Sequence, residues 1–357
     1  MKKIAILSAV NIKHMSLISL YTSYLEKNGI PYDIIYMDKY DEEETIGANN
    51  IFRFVNPIDS KWGRTKKILT YFRFFSYARD ILEKRDYDFI IVWNDIAISM
   101  FGLYLAKQWK NKYCLNCRDY NGEKKWYVFH IFKKAIYNAA FTTISSEGFR
   151  SFLPKHDYIS LYSYNKELLE LCEPRESKQN LDKPIRISFI GNVRFFDENK
   201  KIVNLLKNDK RFELHFHGTN AEIMEEYAKS IGAKNVVCSG RFPVQETPKY
   251  LEQADIINNV FGIKTIGVRT LTSIRLFHAA YMNIPILVSQ GSFMEEISTK
   301  FGIGFSVKEE DQDLGNELYS WYTNLNFCQI KDGGKALIDE AIFANTKFEL
   351  ELKKWIG

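Results

Sequence analysis

The chain carries Ile185-Arg186-Ile187-Ser188-Phe189-Ile190-Gly191-Asn192-Val193-Arg194, and six residues on Lys200-Lys201 opens a polar, helix-like stretch. A short apolar run that ends at glycine, a basic side chain and a helix start together make an anion site. Gly191 and Asn192 let the backbone approach the anion, helix N–H groups point at it, and Arg194 with Lys200 or Lys201 neutralises it. An ordinary turn with solvated basic residues fits the same letters. A second stretch, Asn235-Val236-Val237-Cys238-Ser239-Gly240-Arg241-Phe242-Pro243, is again an apolar run closed by glycine and a base. The third is Arg269-Thr270-Leu271-Thr272-Ser273-Ile274-Arg275-Leu276-Phe277-His278, continuing to Asn283-Ile284-Pro285. Thr272 and Ser273 read as a helix N-cap whose backbone amides can hold a diphosphate. His278, about a turn and a half further in, can bond a ribose hydroxyl or serve as a core residue.

Toward the N-terminus, Asp119 follows a strand-like run in Arg118-Asp119-Tyr120 and is placed to orient or deprotonate a hydroxyl, or to close a surface turn. His14, in the loop after the first apolar run, is placed to touch a transferred group or to cap a helix. Two Asp-x-Asp pairs resemble metal-binding acids. Asp86-Tyr87-Asp88 reads as strand entry and Asp311-Gln312-Asp313 as helix capping, so no metal is expected. Cys114-Leu115-Asn116-Cys117 has redox or zinc-like spacing, but no second pair completes a tetrahedral site, and in a strand a spacing of three turns the two thiols to opposite faces.

The elements that position these residues alternate between short apolar runs and amphipathic stretches, the pattern of α/β domains with parallel sheets. In the first half strands are expected near Lys3–Leu7, Tyr32–Met37, Phe89–Trp93, Lys112–Cys117 and Phe141–Ser145. Helices fall between them, including Met15–Asn28, stopped by Gly29 and Pro31, and Ile96–Lys110. Residues 172–184 are polar and aperiodic and form the best linker. A second series starts with strand Ile185–Ile190, then a helix from about Glu198, strand Phe212–His217, helix Ala221–Ile231, strand Asn235–Cys238 and helix Val244–Gln253. Strand Ile256–Asn259, helix Leu271–Met282, strand Pro285–Ser289 and a short helix near Phe293–Lys300 complete it. The expected organisation is therefore a Rossmann-like domain over 1–171, a linker over 172–184 and a second Rossmann-like domain over 185–334. A terminal helix over 335–357 returns to the first domain. In doubly wound halves ligands sit at the carboxyl ends of the strands, and between two such halves the natural site is their cleft.

The 357 residues are too many for one ordinary core, and a composition 46% hydrophobic and 26% charged is that of a globular protein. No apolar run reaches the ~18 residues of a membrane span, and the opening run Ile4–Leu7 is too short for a signal peptide. Five scattered cysteines fit a reducing compartment, so the expected location is cytoplasmic. Residues 1–180 hold 27 Lys and Arg against 21 Asp and Glu. That excess is too small to imply nucleic acid, but it suits an anionic surface. From Lys61 to Arg79 six basic residues and no acid are interleaved with aromatics, and Lys124–Lys134 is similar. Such stretches suit the inner face of an anionic membrane, or the solvated side of a core helix.

Three features together resemble the donor half of retaining GT-B glycosyltransferases of family four, many of which build capsule, O-antigen and exopolysaccharide chains. They are the Gly191-to-Lys200 turn, the stretch from Val237-Cys238-Ser239-Gly240-Arg241 to Tyr250-Leu251-Glu252-Gln253-Ala254-Asp255-Ile256, and the helix-to-strand unit Arg275–Ser289. The resemblance implies two Rossmann-like halves facing across a cleft and metal-independent transfer of a hexosyl unit from a nucleoside-diphosphate sugar. The acceptor would be a glycan or lipid-linked hydroxyl. By the same resemblance Arg194 and Lys200, with Lys201 as a near substitute, stabilise the leaving diphosphate. Gly240 and Arg241 border the nucleobase, and Glu296 matches an acid that follows the last donor strand. The family's two glutamates fall at Thr270 and His278 and its glycine at Asn283, so both carboxylates are absent. That departure keeps open a nucleotide-sugar epimerase of the same fold and a non-catalytic nucleotide-sugar-binding partner of a glycan assembly complex.

Overall fold

The computed structural model describes residues 2–15, 17–57, 63–177, 181–310 and 312–357. The chain divides into two compact units, Met1–Tyr162 with Ala344–Gly357, and Ser163–Phe343.

In the first unit the strands are β1 (Ile4–Ser8), β2 (Tyr32–Asp38), β3 (Asn50–Val55), β4 (Phe89–Trp93), β5 (Tyr113–Cys117), β6 (Phe141–Ile144) and β7 (Ile159–Ser160). They form one parallel sheet in the order 3-2-1-4-5-6-7. Between them run α1 (Ser19–Lys27), α2 (Arg64–Lys84), α3 (Asp95–Gln108) and α4 (Trp126–Tyr137). The central strands β1 and β4 are buried at every position. That is why their sequences are apolar throughout rather than alternating: helices cover both faces of a parallel sheet.

The second unit opens with α5 (Lys166–Leu169) and continues β8 (Ile185–Ile190), α6 (Phe196–Leu205), β9 (Phe212–His217), α7 (Ala221–Ile231), β10 (Val236–Ser239) and α8 (Thr247–Gln253). It goes on through β11 (Ile256–Asn259), α9 (Ile266–Thr270), α10 (Ile274–Tyr281), β12 (Ile286–Ser289), α11 (Phe293–Lys300), β13 (Gly304–Val307), α12 (Leu314–Thr323) and α13 (Phe327–Ile356). The parallel sheet runs 10-9-8-11-12-13. Renumbered from its own first strand this is 3-2-1-4-5-6, the doubly wound order, with the switch point between β8 and β11.

Residues 163–171 belong to the second unit, as does the described start of 172–184. The Arg175 amide donates to Met282 O at 3.1 Å, Asn283 Nδ2 donates to Arg175 O at 2.9 Å, and the Arg175 side chain pairs with buried Asp255. Those bonds hold a polar, aperiodic stretch against the base of β11. The last helix starts at Phe327, ahead of Lys335, and runs through Gly333 and Gly334. A Cβ at these two positions would lie 1.8 Å from Phe301 O and 2.4 Å from Ala280 O, so the glycines let helix backbone meet backbone. From Ala344 the same helix belongs to the first unit, where Phe348, Leu352 and Ile356 join the core and Phe348 meets Tyr21 edge-on at 4.7 Å. β3, β7 and β13 have no counterpart in the sequence-based expectation. Of the basic stretch from Lys61 to Arg79, Lys61 and Trp62 lie outside the described residues, as do the side chains of Arg64, Lys66, Lys67 and Ile68. Among the described residues no helix is long and apolar enough to cross a membrane.

Candidate functional site

The carboxyl end of β8 supplies the turn expected to hold an anion. Gly191 has φ +107°, and a Cβ there would lie 3.5 Å from Arg275 Nη2. Its neighbour at the end of β9, Gly218, has φ +129°, and a Cβ there would lie 2.0 Å from Gly191 O. Only glycine fits so close an approach of two strand ends. The turn carrying Asn192 and Arg194 is fixed from beneath. Buried Asn199 donates to Arg194 O at 2.9 Å and to Phe195 O at 3.0 Å, and accepts from Asn258 Nδ2 at 2.8 Å. Arg194 and Asn192 are exposed above it.

The lysines expected beside Arg194 lie elsewhere on α6. Lys200 Nζ sits over the Tyr227 ring of α7 at 5.1 Å, and Lys201 pairs with Glu198 at 3.2 Å. The cation that does reach the turn is Arg275, in the first turn of α10. It is 8% exposed, donates through Nε to Ile190 O at 2.8 Å, and lies over the Phe189 ring at 3.9 Å. Burial and the nearby Arg194 push its guanidinium down to about 9, so it still carries its charge at neutral pH. Among the described residues no carboxylate pairs with it. A buried guanidinium next to a second one, with no acid between them, is arranged for an anion that the protein does not itself provide.

Ser273 caps α10, its Oγ accepting from the Arg275 amide at 3.3 Å, and Thr272 is buried beside it. His278 is buried on the same helix, and neither ring nitrogen finds a hydrogen-bond partner among the described residues. Burial, and then Arg275, push it down to about 3, so it is neutral and offers one donor and one acceptor. Asn259, at the end of β11 against which α10 packs, likewise has both amide atoms buried without a partner among the described residues. Gly240 and Arg241 are exposed at the end of β10. Beside them three rings pack at a tilt: Phe242 against Tyr250 at 4.4 Å and Tyr250 against His217 at 4.4 Å. His217 Nδ1 bonds Ser239 Oγ at 2.7 Å, and burial followed by His215 and Lys249 lowers it to about 4. Glu296 is exposed in the first turn of α11, where Glu295 rather than Glu296 accepts from the Gly291 amide at 2.7 Å.

In the first unit, His14 and Asp119 both stand just beyond carboxyl strand ends, after β1 and β5, and both are exposed. The His14 ring rests on Tyr40 at 5.4 Å. The turn ahead of it is filled by a carboxylate: Glu44 accepts from the Ile12 amide at 2.9 Å, the Lys13 amide at 2.7 Å and Asn11 Nδ2 at 3.0 Å. The loop bearing Asp119 hangs on buried Asp95, whose Oδ2 accepts from the Arg118 and Asp119 amides at 2.9 and 2.8 Å. Glu123, fully buried in the same loop, accepts from the Asn121 amide at 2.6 Å. Burial, and then Asp119, raise Glu123 to about 7, and burial with Glu123 raises Asp95. Cys114 and Cys117 are buried free thiols raised by burial. Of the two Asp-x-Asp pairs, Asp311 lies outside the described residues. Asp88 accepts from the Lys3 amide at 2.8 Å, as a strand-entry residue does.

No protein-family model matches the chain, and no curated protein matches it. Solved structures do. Sucrose-phosphate synthase from Thermosynechococcus elongatus superimposes with TM-score 0.71 at 13% identity, over 99% of this chain and 98% of that one. Anabaena HepE, solved with UDP-glucose, gives 0.66 at 10% identity over 99% and 100%. WaaG, a glycosyltransferase involved in lipopolysaccharide biosynthesis, gives 0.62 at 11% identity over 97% and 98%. At such identities the likeness is one of fold: two parallel-sheet α/β domains, the GT-B glycosyltransferase fold.

Proposed function

We propose that this chain is a glycosyltransferase of the family-four type. It takes a hexosyl unit from a nucleoside-diphosphate sugar and passes it, with retention and without a metal, to a hydroxyl of a glycan or lipid-linked acceptor in surface polysaccharide synthesis. The observation that carries the reading is Arg275: a buried guanidinium with no carboxylate partner among the described residues, set at the Gly191 turn beside Arg194. A diphosphate there accepts from both guanidinium groups; the Ser273 amide, expected to join them, is already given to Met294 Sδ at 3.3 Å. The rings of Phe242, Tyr250 and His217 offer a face for the nucleobase near Gly240 and Arg241, and neutral His278 with Asn259 offers donors and acceptors to ribose hydroxyls.

In the reaction the bond from the anomeric carbon to the diphosphate oxygen breaks as the acceptor oxygen bonds that carbon. The diphosphate leaves with its charge held by Arg275 and Arg194, and the acceptor proton passes to a base. Asp119 is the carboxylate assigned to the acceptor, and His14 the side chain assigned to the transferred sugar. The test is a thermal-shift panel of UDP, GDP, CDP and TDP with their sugars, followed by product analysis with and without acceptor. One nucleoside diphosphate should raise the midpoint selectively. A panel in which none does overturns the reading. Turnover of donor alone to an isomeric sugar would mark an epimerase, and selective binding without any turnover a non-catalytic partner.

A further inference from the structure

β9 presents two unlike sides. Phe212, Leu214 and Phe216 are buried in the core of the second unit, while the alternate positions Glu213, His215 and His217 fall on the other side of the strand. There the side chains join in a row. Glu213 Oε2 lies 3.3 Å from His215 Nε2, and His215 Nδ1 lies 3.3 Å from His217 Nε2. His217 Nδ1 lies 2.7 Å from Oγ of Ser239, its register partner on β10. The row therefore runs from a half-exposed carboxylate to the carboxyl ends of β9 and β10, where ligands of a doubly wound sheet sit.

Its first member decides which way every proton points. A carboxylate only accepts, so the His215 proton that meets it is on Nε2. In a neutral ring the other nitrogen, Nδ1, is then an acceptor, and His217 donates to it from Nε2. His217 itself is neutral, lowered to about 4 by burial and then by His215 and Lys249. Its Nδ1 is left as an acceptor, and the Ser239 hydroxyl gives that nitrogen its only hydrogen. The half-buried Ser239 oxygen thus has lone pairs to offer a ligand and no proton.

We infer that Ser239 Oγ reads the nucleobase of the donor as a hydrogen-bond acceptor, held in that role by Glu213 through His215 and His217, and selects a base whose ring N–H lies beside a carbonyl. The inference rests on the nucleotide reading given above. Uracil and thymine carry N3–H between two carbonyls, and guanine carries N1–H beside one. Cytosine N3 and adenine N1 have a lone pair at that place, which would meet the lone pairs of Ser239. Exposed Arg241 supplies only donors and suits the carbonyl that accompanies the N–H. The Phe242, Tyr250 and His217 rings offer a face to any base, so the choice between bases falls to the hydrogen bonds.

Two measurements on the full chain test this. Spectra of protein carrying 15N-labelled histidine, at about pH 8 where imidazole is neutral, should show His215 and His217 as Nε2–H tautomers. An Nδ1–H tautomer at His217 overturns the inference whatever the nucleotides do. Calorimetric titration with UDP, TDP, GDP, CDP and ADP should give a preferred nucleotide among the first three, at least about tenfold tighter than CDP or ADP, the factor one hydrogen bond supplies. Ser239→Ala should shrink that ratio to about threefold or less, and Ser239→Thr, which keeps the hydroxyl, should restore it. Glu213→Lys replaces an acceptor by donors at a half-exposed position, so it should turn the row round, leave Ser239 donating, and let CDP gain on the preferred nucleotide. Wild-type ratios in Ser239→Ala or Glu213→Lys, or tighter binding of CDP or ADP by the wild type, overturn the inference and leave the nucleotide reading standing. Binding of none of the five overturns both.

Discussion

Replacing Arg275 by Met separates a ligand-binding cation from a structural one, because the two roles give opposite balances. Holding the guanidinium in a site that lowers it from 12.5 to about 9 costs on the order of 5 kcal/mol at neutral pH, at ~1.4 kcal/mol per tenfold change in proton affinity. The penalty is full below pH 9, where folded and unfolded chains both carry the charge, and shrinks only above it. Against this stand the Nε–H bond to Ile190 O, about 1.5–3 kcal/mol, and the contact with the Phe189 face, up to about 2 kcal/mol. The terms nearly cancel. Methionine fills similar volume, so the free protein should change by about 1 kcal/mol or less.

Nucleotide binding should respond differently. A charge-assisted bond to a diphosphate is worth about 1.5–3 kcal/mol, so Arg275→Met should weaken the preferred nucleoside diphosphate roughly 10- to 150-fold. At a concentration 100 times the wild-type Kd, the wild type gains about 2.7 kcal/mol and a variant weakened 100-fold about 0.4 kcal/mol. Urea and thermal midpoints with and without nucleotide read both quantities. A variant that keeps the full nucleotide shift refutes the anion site. One that loses more than about 2 kcal/mol without nucleotide shows that Arg275 works as a structural residue.

Glu123 is raised to about 7, so the folded state holds a proton that the unfolded chain releases near pH 4.3, and wild-type stability should fall as pH rises between those values and level off above 7. Glu123→Gln should flatten that decline in urea midpoints taken from pH 5 to 8; parallel curves would contradict the buried-acid account. Gly333→Ala should cost about 3 kcal/mol and lower the thermal midpoint by roughly 6 °C or more, since its methyl would overlap Phe301 O. An unchanged midpoint would mean that the last helix does not lie against that carbonyl. Asp119→Asn should lower transfer by about 100-fold or more while the nucleotide-induced shift survives, and full turnover would remove Asp119 from the reaction.

Much of the fold was legible because its signals are local. Ile185–Ile190, Phe212–His217 and Ile256–Asn259 are apolar runs closed by turn residues or by a change to helical periodicity, and each is a strand with those bounds. Ala221–Ile231 is stopped at Gly232, which takes the left-handed φ of +68° that ends a helix. β3 escaped because Arg53 interrupts its pattern; its charge is met by Asp38 of the adjacent strand, a partner 15 residues away. β13 escaped because four residues beginning with glycine carry too little pattern.

The candidate site divides along the same line. The Gly191 turn announces itself, since glycine after an apolar run is a local fact. Arg275 does not, although a charged residue on the buried side of an apolar helix was a visible anomaly. What makes it a site residue is a bond to Ile190, 85 positions earlier in the chain, and that proximity exists only once β11 is laid beside β8. Asp95 and Glu123 were hidden for the same reason: each reads as a loop acid until the sheet order buries it. Lys200 and Lys201 show the converse. Their spacing from Arg194 was right for an anion, but on α6 one extends over Tyr227 and the other onto Glu198. A cation that reaches away from the turn, or is already paired with a carboxylate, has less to offer a ligand there than one buried at Ile190 O with no carboxylate partner among the described residues. The electrostatic case for the diphosphate therefore rests on a buried guanidinium that no carboxylate neutralises among the described residues.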